Sequence, residues 1–524
     1  AAKLILTGHG RYNVMMLVTC SLISIAVALD MFGFGVVVAA GSCDLQLGMK
    51  EIGILVSAPF AGLLFAFPWG YLADTRGRRK ALILSTSVGF LFGALSSFSP
   101  NWQTMLALKL VGCSFSSAAF TLTITYLGES TDNKHRSQYL FIMNSVNLAS
   151  EAVTFVLAYI LLQQNFVLNI TFLDITFRPW RLLTLLQAFP LGIGAVMLLF
   201  LYESPKFLAN RGEEEKALRV LNLIHQNNYG AKDYPVFVEV FLKYYARSMS
   251  FIDSVLKQIV PIFKPPLSWK TLQLFHLLVI CASTNNVFLM WFPKMVNFFF
   301  NSLSKDDYLE EGFCARVISN ITDIEEPADG SIIACNDQIS LNTIYSGISY
   351  GLFFMFFNLF VSRLASFRRL VLITILLMST ISAILVNLVK LPILSMILFT
   401  LLQVTSVGIG ITASYFVDLY PTSYRKKMCA RTAVSCLYPP HNFRSPCPIT
   451  LFVTLTFTSK INYNYQGLAA SVGMMVARLG SFAGVNLIGA VIVEYCGITF
   501  YVWSIFVLSI VILLILILLN DKFQ

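Results

Sequence analysis

Apolar runs separated by short polar segments organise the whole chain. Val14–Leu29 and Ile498–Leu519 hold no charged residue at all. A helix needs ~20 apolar residues to cross ~30 Å of hydrocarbon. Segments of that kind are predicted at about 13–40, 51–73, 81–98, 102–127, 139–162, 181–202, 271–299, 341–361, 370–390, 393–417, 467–492 and 498–519. Six precede and six follow a polar stretch, Glu203 to Lys270, whose Gly212-Glu213-Glu214-Glu215-Lys216 reads as part of short surface helices. The predicted fold is therefore all-α: a polytopic membrane protein of twelve spans in two pseudo-repeated six-helix bundles. Its expected units are a bundle over 1–202, a cytosolic linker over 203–270 and a second bundle over 271–524.

Composition agrees. Of the 524 residues 56% are hydrophobic and 12% charged, against roughly 25% charged in soluble chains. The 44 Phe and 21 Tyr exclude disorder, and 30 Gly with 10 Cys are too few for a collagen or a disulfide scaffold. The net charge of +10 could suggest nucleic acid, but the basic residues cluster between apolar runs, so the expected partner is the lipid bilayer and no nucleic acid. With both termini cytosolic, all but nine of the 37 Lys and Arg fall on the cytosolic side, as the positive-inside rule requires. No signal peptide is read at the first apolar run, which more apolar sequence follows without a small-residue cleavage site. The chain begins at Ala1 rather than Met, so its true N-terminus is expected upstream.

Two sequons, Asn169-Ile170-Thr171 and Asn320-Ile321-Thr322, fall in loops assigned to the outer or lumenal side, where glycosylation occurs. Cys314 and Cys335 share the second of these loops and are expected to form a disulfide there, unlinked thiols being the alternative.

The halves repeat one another. After the fourth span an acid leads an Arg by seven positions (Glu129, Arg136), and after the tenth the same pattern recurs (Asp418, Arg425). After the second span comes Gly70-Tyr-Leu-Ala-Asp74-Thr-Arg-Gly77-Arg78-Arg79-Lys80; its counterpart near Arg363–Arg369 lacks the acid and the glycines. Repeated halves point to alternating access, with a substrate site near the midplane.

Gly70-x-x-x-Asp74-x-x-Gly77-Arg78-Arg79 resembles the loop signature of the major facilitator superfamily. Glu203-Ser204-Pro205-Lys206-Phe207-Leu208, Trp180-Arg181 and Asp418-Leu-Tyr-Pro421-Thr-x-x-Arg425 resemble its sugar-porter and organic-ion branch. Gly8-His-Gly10-Arg11-Tyr12 and Cys43-Asp44-Leu45-Gln46-Leu47 are most similar to synaptic vesicle glycoprotein 2-like members. One segment departs from that pattern: Lys426 to Gln466 separates Arg425 from Gly467-Leu-Ala-Ala-Ser, where the family has no insert. It reads as an unspliced or wrongly delimited segment, or else as a regulatory cytosolic loop.

By charge, Gly70, Asp74, Gly77, Arg78, Glu129, Arg136, Asp418 and Arg425 are expected to gate the cytosolic side, with pairs that break on opening. Ionisable groups inside a membrane are costly and default to function. Glu151 and Arg478 lie near the midplane of equivalent spans and are expected to face each other across the cavity, handling substrate or a proton, or else forming a static pair. Asn147 extends the polar face of Glu151. Asp30 is expected to sense a cation or proton, or to sit at a solvated rim. Lys109, a few residues inside its span, is expected to snorkel to the surface. Asn285 and Asn286, ahead of a Pro293 break, line a substrate path or join helices. Gly89/Gly93, Gly347/Gly351 and Gly480/Gly484 have the spacing of close helix packing.

No nucleophile motif, phosphate loop or C-x-x-C occurs, and the five His lack metal-ligand spacing. The reading is no enzyme, no cofactor and no metal. It is a secondary transporter of a small organic, ionic solute, running on a proton or sodium gradient in a plasma or intracellular vesicle membrane. The alternative is a non-transporting membrane binding or trafficking protein that keeps the fold.

Overall fold

The computed structural model describes residues 10–62, 67–131, 133–172, 175–230, 263, 265, 267–303, 312–318, 338–364, 367–419 and 465–520. In the first half the helices are α1 (Arg11–Met31), α2 (Phe34–Ala40), α3 (Met49–Gly62), α4 (Phe67–Arg76), α5 (Arg78–Ser96), α6 (Trp102–Ser130), α7 (Asn133–Leu148), α8 (Ser150–Leu162) and α9 (Pro179–Leu199). Two short helices follow, α10 (Pro205–Asn210) and α11 (Glu214–Tyr229). The second half holds α12 (Leu267–Leu303), α13 (Leu341–Arg363), α14 (Arg368–Leu385), α15 (Pro392–Leu402), α16 (Thr405–Leu419) and α17 (Tyr465–Asn520). Helix α17 contains a non-helical turn at Tyr495, which separates the two spans expected there. Where described, the expected spans lie largely on helix, and among the described residues eight helices are long and apolar enough to cross a membrane.

Local chemistry sets the helix starts. Asn101 accepts a hydrogen bond from the Thr104 amide, Ser204 from Phe207 and Ser340 from Thr343, each closing an N-terminus that would leave its donors unpaired. The described part of the polar stretch after α9, up to residue 230, holds two short helices. Ala217, Leu221 and Ile224 lie on one face of α11 and are buried, Ala217 against Phe207 and Leu208. At its end Asn228 takes the Tyr12 amide at 3.1 Å and donates to Asn13 Oδ1 at 3.0 Å, tying α11 to the start of α1.

Pro293 does not break its helix: α12 is continuous from Leu267 to Leu303. A proline removes one backbone donor, whereas a full break would strand several polar groups in an apolar surround. A two-stranded hairpin, β1 (Leu168–Ile170) with β2 (Ile175–Phe177), was not foreseen; it carries Asn169, exposed and paired across to Thr176.

The glycine pairs are packing devices. Gly89 abuts Ser116, and Gly93 sits 3.0 Å (measured from an added Cβ) from Ala188. Gly480 and Gly484 face Val279 and Val287 of α12. Between the halves, Gly347 meets the Phe155 ring and Gly351 the Ala152 backbone, and an added Cβ on Gly489 would stand 3.1 Å from the Gly53 Cα.

The disulfide expectation needs correction. Cys314 pairs with Cys496, 182 residues away, at a Cα–Cα distance of 5.7 Å. The backbone around Cys314 is held against the end of α14, its amide donating to Asn387 Oδ1 at 3.1 Å, which brings it beside the Tyr495 turn. Cys335 lies outside the described residues. Cys43 is also disulfide-bonded, whereas Cys20, Cys113 and Cys281 are free and buried within helices. Non-reducing peptide mapping is expected to find the Cys314 peptide joined to the Cys496 peptide; a Cys314–Cys335 peptide would refute the pairing.

Candidate functional site

Three of the expected polar residues converge. Asn147 at the end of α7, Glu151 at the start of α8 and Asn285 on α12 line one cavity of about 40 Å³ between the halves. Tyr350, Ser150 and Ser406 complete its polar wall, and Phe32, Leu148, Leu289 and Phe354 its apolar one. That volume has room for about three waters. Glu151 is 7% exposed, and its Oε1 has no hydrogen-bond partner among the described residues. An ionisable side chain so placed is expensive in hydrocarbon and is a candidate for function.

Hydrogen-bond polarity around the cavity is fixed by chemistry. Asn147 Nδ2 donates to the Ser24 carbonyl at 3.0 Å. Ser481 donates to the Ala477 carbonyl and so accepts from Asn286 Nδ2 at 3.1 Å. Asn286 Oδ1 then accepts from Asn285 Nδ2, also at 3.1 Å. Asn286 thus joins α12 to α17 and does not line the cavity. Gln403 donates to the Phe399 carbonyl at 3.2 Å, and its Oε1 takes the Tyr350 hydroxyl at 3.1 Å.

Three expectations fail here. Arg478 does not line the cavity with Glu151, and no ion pair joins the two among the described residues. It is half-buried one turn from Ser481; the rotation of α17, set by Gly480 and Gly484 against α12, aims it elsewhere. Asp30 does not line the cavity either, and Lys109 does not snorkel. Both are 1% exposed and pair at 2.7 Å, with Ser116 donating to the second Asp30 oxygen at 3.0 Å and the ammonium 4.7 Å from the Phe34 ring centre. A nearby carboxylate in a dry surround outcompetes a distant interface.

At one end of the bundle the signature residues form a charged cluster. Arg78 reaches Glu129 at 3.2 Å, Ser204 donates to the same carboxylate at 3.0 Å, and Lys206 stands 3.8 Å off. The Arg79 amide donates to Glu203 Oε1 at 3.0 Å, and its guanidinium caps the α9 carbonyls of Leu198 and Leu199. Gly77 holds φ +110°, a left-handed backbone, and an added Cβ would collide with the Glu203 carboxylate. Gly77→Ala is expected to destabilise the protein by about 1–3 kcal/mol; a thermal melt in detergent checks it, and an unchanged melt would mean the cluster rearranges freely. Gly70 lies inside α4. The side chains of Asp74, Arg136 and Asp418 lie outside the described residues, as do Arg425, Asn320 and positions 426–464 of the expected insert.

The opposite end is tied differently. Asp44 takes the Trp180 indole N–H at 3.1 Å and faces Arg178 at 3.5 Å and Arg181 at 3.6 Å. Lys294 of α12 donates to Ser42 at 3.0 Å, a polar bond between the halves. A Cβ on Gly35 would stand 2.9 Å from the Met290 carbonyl oxygen. Trp180, Arg181, Lys294, Tyr350, Gln403 and Ser406 were not anticipated as parts of these sites. Only the Trp180-Arg181 pairing carried a signal in the sequence.

The model of the Major Facilitator Superfamily matches residues 20–308, more than half of the chain, and the chain belongs to that superfamily. Synaptic vesicle glycoprotein 2A of Rattus norvegicus is 28% identical over 235 residues, 44% of this chain and 31% of the relative. Synaptic vesicle glycoprotein 2C of Mus musculus is 27% identical over 232 residues, 44% of this chain and 32% of the relative. The matched stretch thus spans about a third of the length of these relatives. In fold, the chain is similar to the xylose transporter XylE from E. coli in a partially occluded inward-open conformation, with a TM-score of 0.59, 11% identity and coverage of 96% of this chain and 98% of the other. The nucleoside transporter NupG (D323A mutant) gives a TM-score of 0.55 at 11% identity, covering 96% and 99%. The chain is a multi-pass integral membrane protein with the fold of transporters, not of an enzyme.

Proposed function

We propose that the chain is a secondary active transporter of a small organic, ionic solute, working by alternating access around Asn147, Glu151 and Asn285. The observation that carries this reading is the buried Glu151 carboxyl, with an unpartnered oxygen on a cavity between the two halves. The named contacts between the halves favour a state closed at the end carrying Asp44. Opening that end requires the Gly53–Gly489, Gly351–Ala152 and Ser42–Lys294 contacts to separate. The Arg78–Glu129 cluster at the other end acts as the gate of the second state, with Asp74, Arg136, Asp418 and Arg425 as its further members.

In this reading twelve spans form two six-helix bundles, 1–202 and 271–524, with 203–270 and both termini cytosolic. The exposed Asn169 and the disulfide-bonded Cys43, Cys314 and Cys496 lie on the Asp44 end, and both features support an oxidising, outer or lumenal compartment there. A proton or sodium gradient supplies the driving force. The names of the matched relatives favour a vesicle membrane over the plasma membrane.

Uptake into proteoliposomes of a panel of radiolabelled organic cations, anions and neutral solutes tests the reading. At least one solute is expected to accumulate above protein-free vesicles. Absence of flux across the whole panel would leave a membrane binding protein that keeps the fold.

A further inference from the structure

We infer that the central cavity selects cations, taking a compact organic amine in its ammonium form. The inference deepens the transport reading above and rests on it.

Every polar side chain whose bonding is fixed at the cavity spends a donor on the protein and leaves an acceptor. Asn147 gives its Nδ2 to the Ser24 carbonyl, and among the described residues no donor is recorded on its Oδ1. Asn285 gives its Nδ2 to Asn286, and the relay through Ser481 to the Ala477 carbonyl forbids the reverse orientation. Tyr350 gives its hydroxyl hydrogen to Gln403, whose own amide is spent on the Phe399 carbonyl. Glu151 contributes an acceptor, Oε1, that nothing among the described residues satisfies. An ionised carboxylate is acceptor-only, and a cation beside it is what favours that form in a buried site, so the complement of this wall is a positively charged group with N–H donors.

The electrostatic inventory points the same way. No Lys, Arg or His lines the cavity among the described residues. The two basic residues expected at depth within the spans are otherwise placed: Lys109 is held by Asp30, and Arg478 lies outside the lining. The remaining wall is apolar, Leu148 and Leu289 standing beside aromatic rings. Phe32 and Phe354 line it, and the Tyr350 ring packs 4.6 Å from Phe354 and 4.9 Å from Phe292, placing aromatic rings around the site of a kind that attracts an ammonium. An anion could take hydroxyl hydrogens from Ser150 and Ser406 but would meet no positive charge and would stand against the Glu151 carboxylate. A neutral polyol would bring hydroxyl donors but leave the carboxylate uncompensated.

Three small solutes of similar size test the charge: ethylamine, ethanol and acetate, offered to the purified full chain in detergent. Ethylamine is expected to raise the melting temperature, by mass action on the folded state, while the alcohol and the acid at equal concentration leave it unchanged. Glu151→Gln, nearly isosteric, is expected to weaken ethylamine binding by about tenfold or more. Equal stabilisation by ethanol, preference for acetate, no effect of ethylamine, or undiminished binding to Glu151→Gln would each overturn the inference. The comparison on the unmodified protein decides the matter even where the variant does not fold. The two readings fail separately. Flux of a neutral or anionic solute through proteoliposomes leaves transport standing and overturns cation selection. Ethylamine stabilisation without any flux supports a cation site in a protein that does not transport.

Discussion

Lys109→Met is expected to destabilise the protein by about 3–5 kcal/mol, the cost of stranding one member of a buried ion pair. Asp30 and Lys109 are each 1% exposed and 2.7 Å apart, so water cannot repair the loss as it would at a surface. Ser116 supplies one hydrogen bond to the abandoned carboxylate, Cys113 a weak one, and neither carries charge. Asp30→Asn alone strands the ammonium instead and is expected to cost a similar amount, because an amide offers Lys109 a dipole in place of a charge. The double variant, Asp30→Asn with Lys109→Met, removes both charges and is expected to recover most of the stability, since well-packed neutral replacements of buried pairs are often neutral or better. Thermal melts of the four proteins in one detergent close the cycle. Additive single and double effects would mean that the two side chains do not act as a pair.

That pair marks the boundary of what could be read from the chain. The spans were legible because hydrocarbon forces every backbone donor and acceptor into a helix and tolerates few charges for about 20 residues. Arg78 and Glu129 were legible as members of one charged cluster because both sit in short charged segments directly after apolar spans. Glu151, Asn147 and Asn285 were legible as polar groups at helical depth, and helical spacing put Asn147 on the Glu151 side. What failed depends on rotation and on contacts between distant elements. Lys109 was placed by depth alone, and depth does not show that Asp30 of α1 stands within reach of its four-carbon stem. Arg478 had the right depth but the wrong azimuth, which the glycines of α17 decide against α12. The partner of Cys314 was sought in its own loop, although the fold brings Cys496 across 182 residues to 5.7 Å. Tyr350, Gln403 and Ser406 sit in apolar runs with nothing in sequence to distinguish them from packing residues.

Gly351→Leu is expected to cut uptake by about tenfold or more while leaving the protein folded. In the present conformation Gly351 of α13 lies directly on the Ala152 backbone of α8, next to the Gly347–Phe155 contact, so no side chain fits between the helices. Overpacking of a tight contact costs about 1–3 kcal/mol, and here the cost falls on one state only. It applies while the Asp44 end is closed and vanishes once α8 and α13 part. A penalty of that size on one side of a two-state equilibrium shifts its ratio by about 5- to 150-fold. The halves themselves are untouched, because the clash lies between them. Gly410→Leu is the control: a Cβ there meets nothing within 4 Å, so it tests the loss of a helix glycine without a clash. A cysteine introduced at Ser150, on the cavity wall, reports the shift directly. A membrane-impermeant maleimide applied from the Asp44 side is expected to label Ser150→Cys faster in the Gly351→Leu background than in the Gly410→Leu background. Equal labelling with reduced uptake would move the effect from conformational equilibrium to the site itself. Equal labelling with normal uptake would show that the α8–α13 contact is not part of the transport cycle.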